Sequence, residues 1–184
     1  LPMARPPLIL SFDIEISDVD LGYYESVGFR VAQHPSETDR RLIMRVIAWC
    51  LHASEGIQMA KGGLSNGEQP ALHKEDPSGK MITWIDVGMP EGARLHRASK
   101  HADQVVVYSY GRTGPWLSKL RKERIHNAEM IKVFTVPQEA LDTLAELLER
   151  RNQWSLLRQD DELLVTLTNQ NVSFPVTALA LVTS

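Results

Sequence analysis

Leu8, Leu10, Phe12, Ile14 and Ile16 alternate with Ser11, Asp13, Glu15 and Ser17. A period of two puts every second side chain on one face and predicts a half-buried strand. After a turn-rich stretch from Asp18 to Gly22, the residues Val27, Phe29 and Val31 repeat the alternation, so the two segments read as a hairpin ahead of the main core. Pro35 closes it. Ser36, with Asp39 three residues later, predicts the N-cap of a helix running to about Ser54, with Leu42, Val46, Trp49, Cys50 and Ala53 on one face and Ile43 and Ile47 widening it. Gly56 ends that helix, and Ile57 to Lys61 reads as a short strand. The polar stretch Gly62 to Gly79 is too long for a passive turn and reads as a loop over a site.

Downstream, an apolar run from Met81 to Gly88 reads as a strand, a polar helical segment follows from Pro90 through Ala102, and Gln104 to Tyr110 is a second apolar strand. Pro115 to His126 predicts a helix, Ile131 to Val136 a strand bounded by Pro137, and Gln138 to Arg151, with leucines at 141, 144, 147 and 148, an amphipathic helix. Trp154 to Leu157, Leu163 to Leu167 and Val172 to Val176 predict a terminal β-meander. The class is α/β, with a core in the order helix, strand, strand, strand, helix, strand.

Composition narrows this picture modestly. A chain of 184 residues with 43% apolar content buries one core and reads as a single domain over residues 1–184. A formal net charge of −3 gives no global footprint for nucleic acid, which leaves any such contact to local patches. The single cysteine, Cys50, sits among apolar helix residues and reads as core; it excludes an internal disulfide and fits a reducing compartment. Neither an apolar signal core nor a stretch long enough to cross a bilayer is evident, so the expectation is a cytoplasmic protein without a membrane partner.

The chemistry centres on Asp86, because an acid inside an apolar run must be desolvated and then finds donors or serves a cation and a substrate. Side-by-side pairing of the two runs is expected to bring Asp86 close to Gln104. Each residue also has a purely structural explanation. Glu37 lies in a first helical turn with Arg41 four residues on, Asp86 precedes a turn it can cap, and Gln104 opens a strand. Gly63-Leu64-Ser65-Asn66-Gly67 matches the pattern of an esterase nucleophile elbow, which requires Ser65 on a strand-turn-helix and within reach of a histidine. The six histidines show no metal-ligand spacing. Lys119, Arg121, Lys122 and Arg124 make the helix after Pro115 basic, a solvated face unless it lines the Asp86 cleft and guides a phosphate backbone.

The segments His34-Pro35-Ser36-Glu37-Thr38-Asp39, Lys61-Gly62-Gly63-Leu64-Ser65, Trp84-Ile85-Asp86-Val87-Gly88 and Gln104-Val105-Val106-Val107-Tyr108 together resemble the YaeQ family. The element order, with Glu37 on the first helix, Asp86 on the second core strand and Gln104 on the third, resembles the PD-(D/E)XK, or restriction-endonuclease-like, superfamily. That resemblance implies an α-β-β-β-α-β core carrying an N-terminal hairpin and a C-terminal β-meander. It further implies nucleic-acid processing or binding, with a phosphodiesterase site in which Asp86, Glu37 and Gln104 hold Mg²⁺, or Mn²⁺ in its place. Val106 stands where the pattern carries a lysine, so a cation from elsewhere has to serve, with Lys100 first and Arg97 and Lys61 behind it. The rival reading is a non-catalytic interaction module on a degenerate nuclease scaffold. A cation aimed at Asp86 favours the enzyme; its absence favours the module.

Overall fold

A computed structural model describes residues 5–60 and 69–183. Four layers follow from the burial pattern: a five-stranded sheet, a helical layer, a six-stranded sheet and a second helical layer. The expected hairpin is present as β1 (Leu8–Asp18) and β2 (Tyr23–Gln33), antiparallel in one unbroken register. The expected meander is β8 (Arg151–Gln159), β9 (Glu162–Thr166) and β10 (Asn171–Pro175). Its first strand lies parallel to β1, so hairpin and meander form one sheet in the order β10-β9-β8-β1-β2. Both ends of the chain therefore contribute to one layer, a pairing too distant in sequence for local pattern to reveal.

The helix α1 (Asp39–Leu51) is shorter than expected at both ends: Thr38, not Ser36, is its cap, the Thr38 hydroxyl accepting from the Arg41 N–H at 3.1 Å while Ser36 bonds to His34, and past His52 the chain tightens into a separate 3-10 turn, Ala53–Glu55. Leu42, Ile43, Met44, Val46, Ile47, Ala48, Cys50 and Leu51 are all buried. A helix apolar on every side is sandwiched. Here the five-stranded sheet lies on one side and Ile85, Val106 and Tyr108 of the second sheet on the other. α4 (Gln138–Glu146) shares this layer through Ala140, Leu141 and Leu144.

The second sheet runs β11-β7-β6-β5-β4-β3. Its strands are β3 (Gln58–Met59), β4 (Leu72–Glu75), β5 (Met81–Val87), β6 (Gln104–Tyr110), β7 (Ile131–Val136) and β11 (Thr177–Leu179). β3, β4 and β5 form an antiparallel run, after which β6 and β7 continue in parallel. The crossover helices α2 (Gly92–His101) and α3 (Thr113–Arg121) cover the outer face with Leu95, Ala98, Leu117 and Leu120. β4 corrects the expectation of an unbroken polar loop from 62 to 79. The segment Leu72-His73-Lys74-Glu75 has little apolar signal, and its neighbours β3 and β5 recruit it through backbone bonds. β11, three residues long, likewise lies beyond the expected meander and pairs with β7. No helix among the described residues is long and apolar enough to cross a membrane.

Burial in the sandwiched helix pushes the Cys50 thiol well above its ordinary value, which keeps it protonated and inert. A maleimide reagent is expected to leave Cys50 unlabelled in native buffer and to label it fully in denaturant; rapid native labelling would show that α1 is not buried as described.

Candidate functional site

Glu37 lies just ahead of α1, where the first turn of backbone N–H groups favours a carboxylate. Its oxygens accept from Arg45 Nε at 2.8 Å and Arg45 Nη2 at 2.7 Å, and it also pairs with Arg41. Arg45 is 1% exposed and Glu37 is fully buried at its side chain, so the pair sits in the layer between the two sheets. Arg45 Nη2 also donates to the Ala32 carbonyl at 2.9 Å, tying α1 to β2. Burial raises the nearby Tyr110 hydroxyl above its usual value, against the opposing influence of Arg41 and Arg40. Charge on Glu37 is thus fully answered by arginine.

Asp86 is placed by strand alternation. Ile85 and Val87 face α1, whereas Trp84 and Asp86 face α2. In the first turns of α2, Arg94 reaches back with a two-point clamp, Nε to Oδ2 at 2.7 Å and Nη2 to Oδ1 at 3.0 Å. The same guanidinium donates to the Gln69 carbonyl at 2.8 Å and lies 5.3 Å from the centre of the Trp84 ring. A bidentate, charge-assisted pair over an aromatic ring is a strong way to hold a carboxylate with 3% residue exposure.

The structure does not gather the three expected metal ligands. Glu37 and Asp86 occupy opposite faces of the six-stranded sheet, Glu37 paired with Arg45 and Arg41 and Asp86 with Arg94. The expected proximity of Asp86 to Gln104 fails too, because parallel pairing sets Gln104 opposite Thr83 and Val107 opposite Asp86. Three residues of strand separate the two, roughly 10 Å. Gln104 is exposed at the start of β6. Lys100, the first choice for the displaced cation, sits at the far end of α2 in a surface hollow of about 330 Å³ with Lys80, His101 and Asp103. Arg97 is exposed. No group of three or more His, Cys, Asp or Glu side chains suited to a metal exists among the described residues. These donors do not fit Mg²⁺ or Mn²⁺, which needs carboxylates converging with open water positions. Lys61 and Ser65, the latter the expected esterase nucleophile, lie outside the described residues.

The residue that sequence reasoning missed is Arg94. Its signal was only positional: a cation one helical turn into the element that follows an unsatisfied strand acid. A second missed feature is a hydrogen-bonded chain on the opposite face, in which His52 bonds Glu55 through Nδ1 and the Tyr108 hydroxyl through Nε2, both at 2.7 Å. The His52 contact holds the Glu55 carboxyl below its ordinary range, and burial raises the Tyr108 hydroxyl. Tyr108 is buried and stacks on Phe134 at 5.3 Å.

Comparison with known proteins gives one consistent answer. Residues 3–176 match the family model described as YaeQ protein. The chain is similar to YaeQ of Escherichia coli (strain K12), 24% identical over 178 residues that cover 96% of this chain and 97% of the relative. It is also similar to YaeQ of Salmonella typhi, 25% identical over the same length and coverage. The crystal structure of a YaeQ protein from Xanthomonas axonopodis pv. citri superimposes with a TM-score of 0.85 at 30% identity, covering 94% of this chain and 97% of that one. One from Pseudomonas syringae does so with 0.85 at 27% identity, covering 96% and 97%.

Removing Glu37 strands the Arg45 charge between two sheets. Glu37→Ala is expected to lower stability by about 3–5 kcal/mol in urea unfolding, and the double variant Glu37→Ala/Arg45→Met to recover most of that loss. Equal stability of the single variant and wild type would remove the pair from its structural role.

Proposed function

The chain belongs to the YaeQ family, and from that premise we propose that it is a non-catalytic interaction module built on a restriction-endonuclease-like scaffold, with nucleic acid as its partner class. Support for the scaffold comes from the element order. With β4 included, α1-β3-β4-β5-α2-β6 runs helix, three strands, helix, strand. In this alignment Asp86 belongs to the third core strand rather than the second, Gln104 to the fourth, and Gly88 occupies the slot two residues after the acid where the pattern has its lysine.

One observation carries the non-catalytic reading: Glu37 and Asp86 face opposite sides of a sheet and each is clamped by arginine. A phosphodiesterase of the expected kind requires carboxylates to share a cation that activates water. Here their charge is spent on holding α1 and α2 in place. Arg94 does supply a cation at Asp86, yet it is locked to the acid by two bonds, one to each carboxylate oxygen, rather than positioned toward an open site.

Support for the partner class is electrostatic. Lys119, Lys122 and Arg124 are exposed on or just beyond α3, on the same side of the sheet as Asp86. Such side chains contact phosphates without reading sequence.

Two measurements test this reading. Calorimetric titration of Mn²⁺ is expected to give the same weak heats for wild type and Asp86→Asn, with no Mg²⁺- or Mn²⁺-dependent cleavage of DNA or RNA. Metal-dependent cleavage lost in Asp86→Asn would establish the enzyme instead. Binding to a single- or double-stranded oligonucleotide is expected without divalent metal and to weaken with salt. Lys119→Glu/Lys122→Glu should reduce the slope of log affinity against log salt by about 2. An unchanged slope would remove α3 from the interface.

A further inference from the structure

Four strands end the two sheets, and three of them are blunted. Among the described residues β3 has two residues, β11 has three, and β10 has five and ends at Pro175. The fourth, β2, has eleven residues in one register with β1, without proline or bulge, and its inward positions Val27, Phe29 and Val31 are apolar, with Glu25 the one charge of that parity. A long regular edge of this kind is a template for another strand unless something blocks it.

The direction of its backbone groups follows from β1. The Ser11 N–H donates to the Arg150 carbonyl and, just past the strand, the Val19 N–H to the Arg158 carbonyl, so odd residues of β1 point their backbone toward β8. Even residues of β1 therefore bond β2, through Leu10↔Val31, Phe12↔Phe29, Ile14↔Val27 and Ile16↔Glu25. In β2 the remaining residues, Tyr24, Ser26, Gly28, Arg30 and Ala32, turn N–H and C=O to the open edge. Ala32 is already engaged by Arg45. The four left, among the described residues, make no other backbone bond.

Those four residues are symmetric about Val27. We propose that β2 is the dimerisation edge of this protein, pairing antiparallel with β2 of a second copy about a two-fold axis at Val27. In that register Tyr24 faces Arg30 and Ser26 faces Gly28, each pair occurring twice, which satisfies all four residues with about eight hydrogen bonds over ~23 Å. A two-fold interface must be self-complementary, and this one is. It sets the guanidinium of Arg30 against the ring of Tyr24, a side chain 61% exposed in the single chain, where the pair gains cation–π attraction. Arg45 defines the register by capping the next residue, so shifting the pair toward Ala32 would forfeit bonds. The result is a continuous ten-stranded sheet made of two five-stranded halves.

Sedimentation equilibrium of the full chain at tens of micromolar is expected to give twice the chain mass. Ser26→Pro removes an edge-facing donor that the β1–β2 hairpin does not use, and should give the single mass with unchanged far-ultraviolet circular dichroism. Val27→Cys offers a positive test, since opposed residues at the two-fold form a non-hydrogen-bonded pair with Cα atoms about 4.5 Å apart, within disulfide range. Mild oxidation should convert it to a covalent dimer, with buried Cys50 uninvolved. A wild type that stays at single mass, a folded Ser26→Pro that remains dimeric, or a Val27→Cys that does not cross-link would each overturn the proposal. A single-mass wild type that instead binds extended peptides would overturn it in favour of a different partner on this edge.

Discussion

The buried ion pair between Glu37 and Arg45 is the constraint around which this molecule is arranged. α1 is enclosed by two sheets, so its one charged buried residue has no route to water. Isolated, that guanidinium would cost several kcal/mol, and the cost is offset only because Glu37 meets it with both oxygens while the Ala32 carbonyl accepts a further hydrogen bond from it. One side chain thereby joins the start of the helix, the helix interior and an edge strand of the other sheet. The relative placement of the two sheets depends on that junction.

Asp86 and Arg94 repeat the arrangement on the other face of the six-stranded sheet. There the pair joins β5 to the helix that follows it, with the Trp84 ring beneath the guanidinium. Two carboxylates that resemble metal ligands in a linear reading therefore serve as anchors for two helices. In both pairs arginine delivers two donors to the two carboxylate oxygens with matching geometry. The same preference for internal partners extends to the turns: Asp20 accepts from the Asp160 and Asp161 N–H groups and so fastens the β8–β9 turn to the β1–β2 hairpin.

Much of the fold was legible residue by residue. Alternation gave β1 and β2, continuous apolar runs gave β5 and β6, Pro137 bounded β7, and the helix-spaced leucines gave α4. The exceptions have physical causes. β4 carries almost no apolar signal and is held by backbone bonds to neighbours on both sides. The cap of α1 moved from Ser36 to Thr38 because Ser36 is occupied by His34. Of the candidate site, the need of Asp86 for donors was readable from its apolar surroundings, yet its partner was not.

By itself the sequence determined which strands are dry on one side, which helices carry an apolar face, and that Asp86 must be satisfied. These are local properties, set by side-chain polarity and the two backbone periods. Only tertiary structure decided that β8 joins β1 in parallel, that Arg94 rather than Lys100 or Gln104 meets Asp86, and that Glu37 lies across the sheet from it. Those outcomes depend on strand direction and on which face each side chain takes. A one-residue difference in parity reverses the face, and polarity along the chain does not encode which partner waits there.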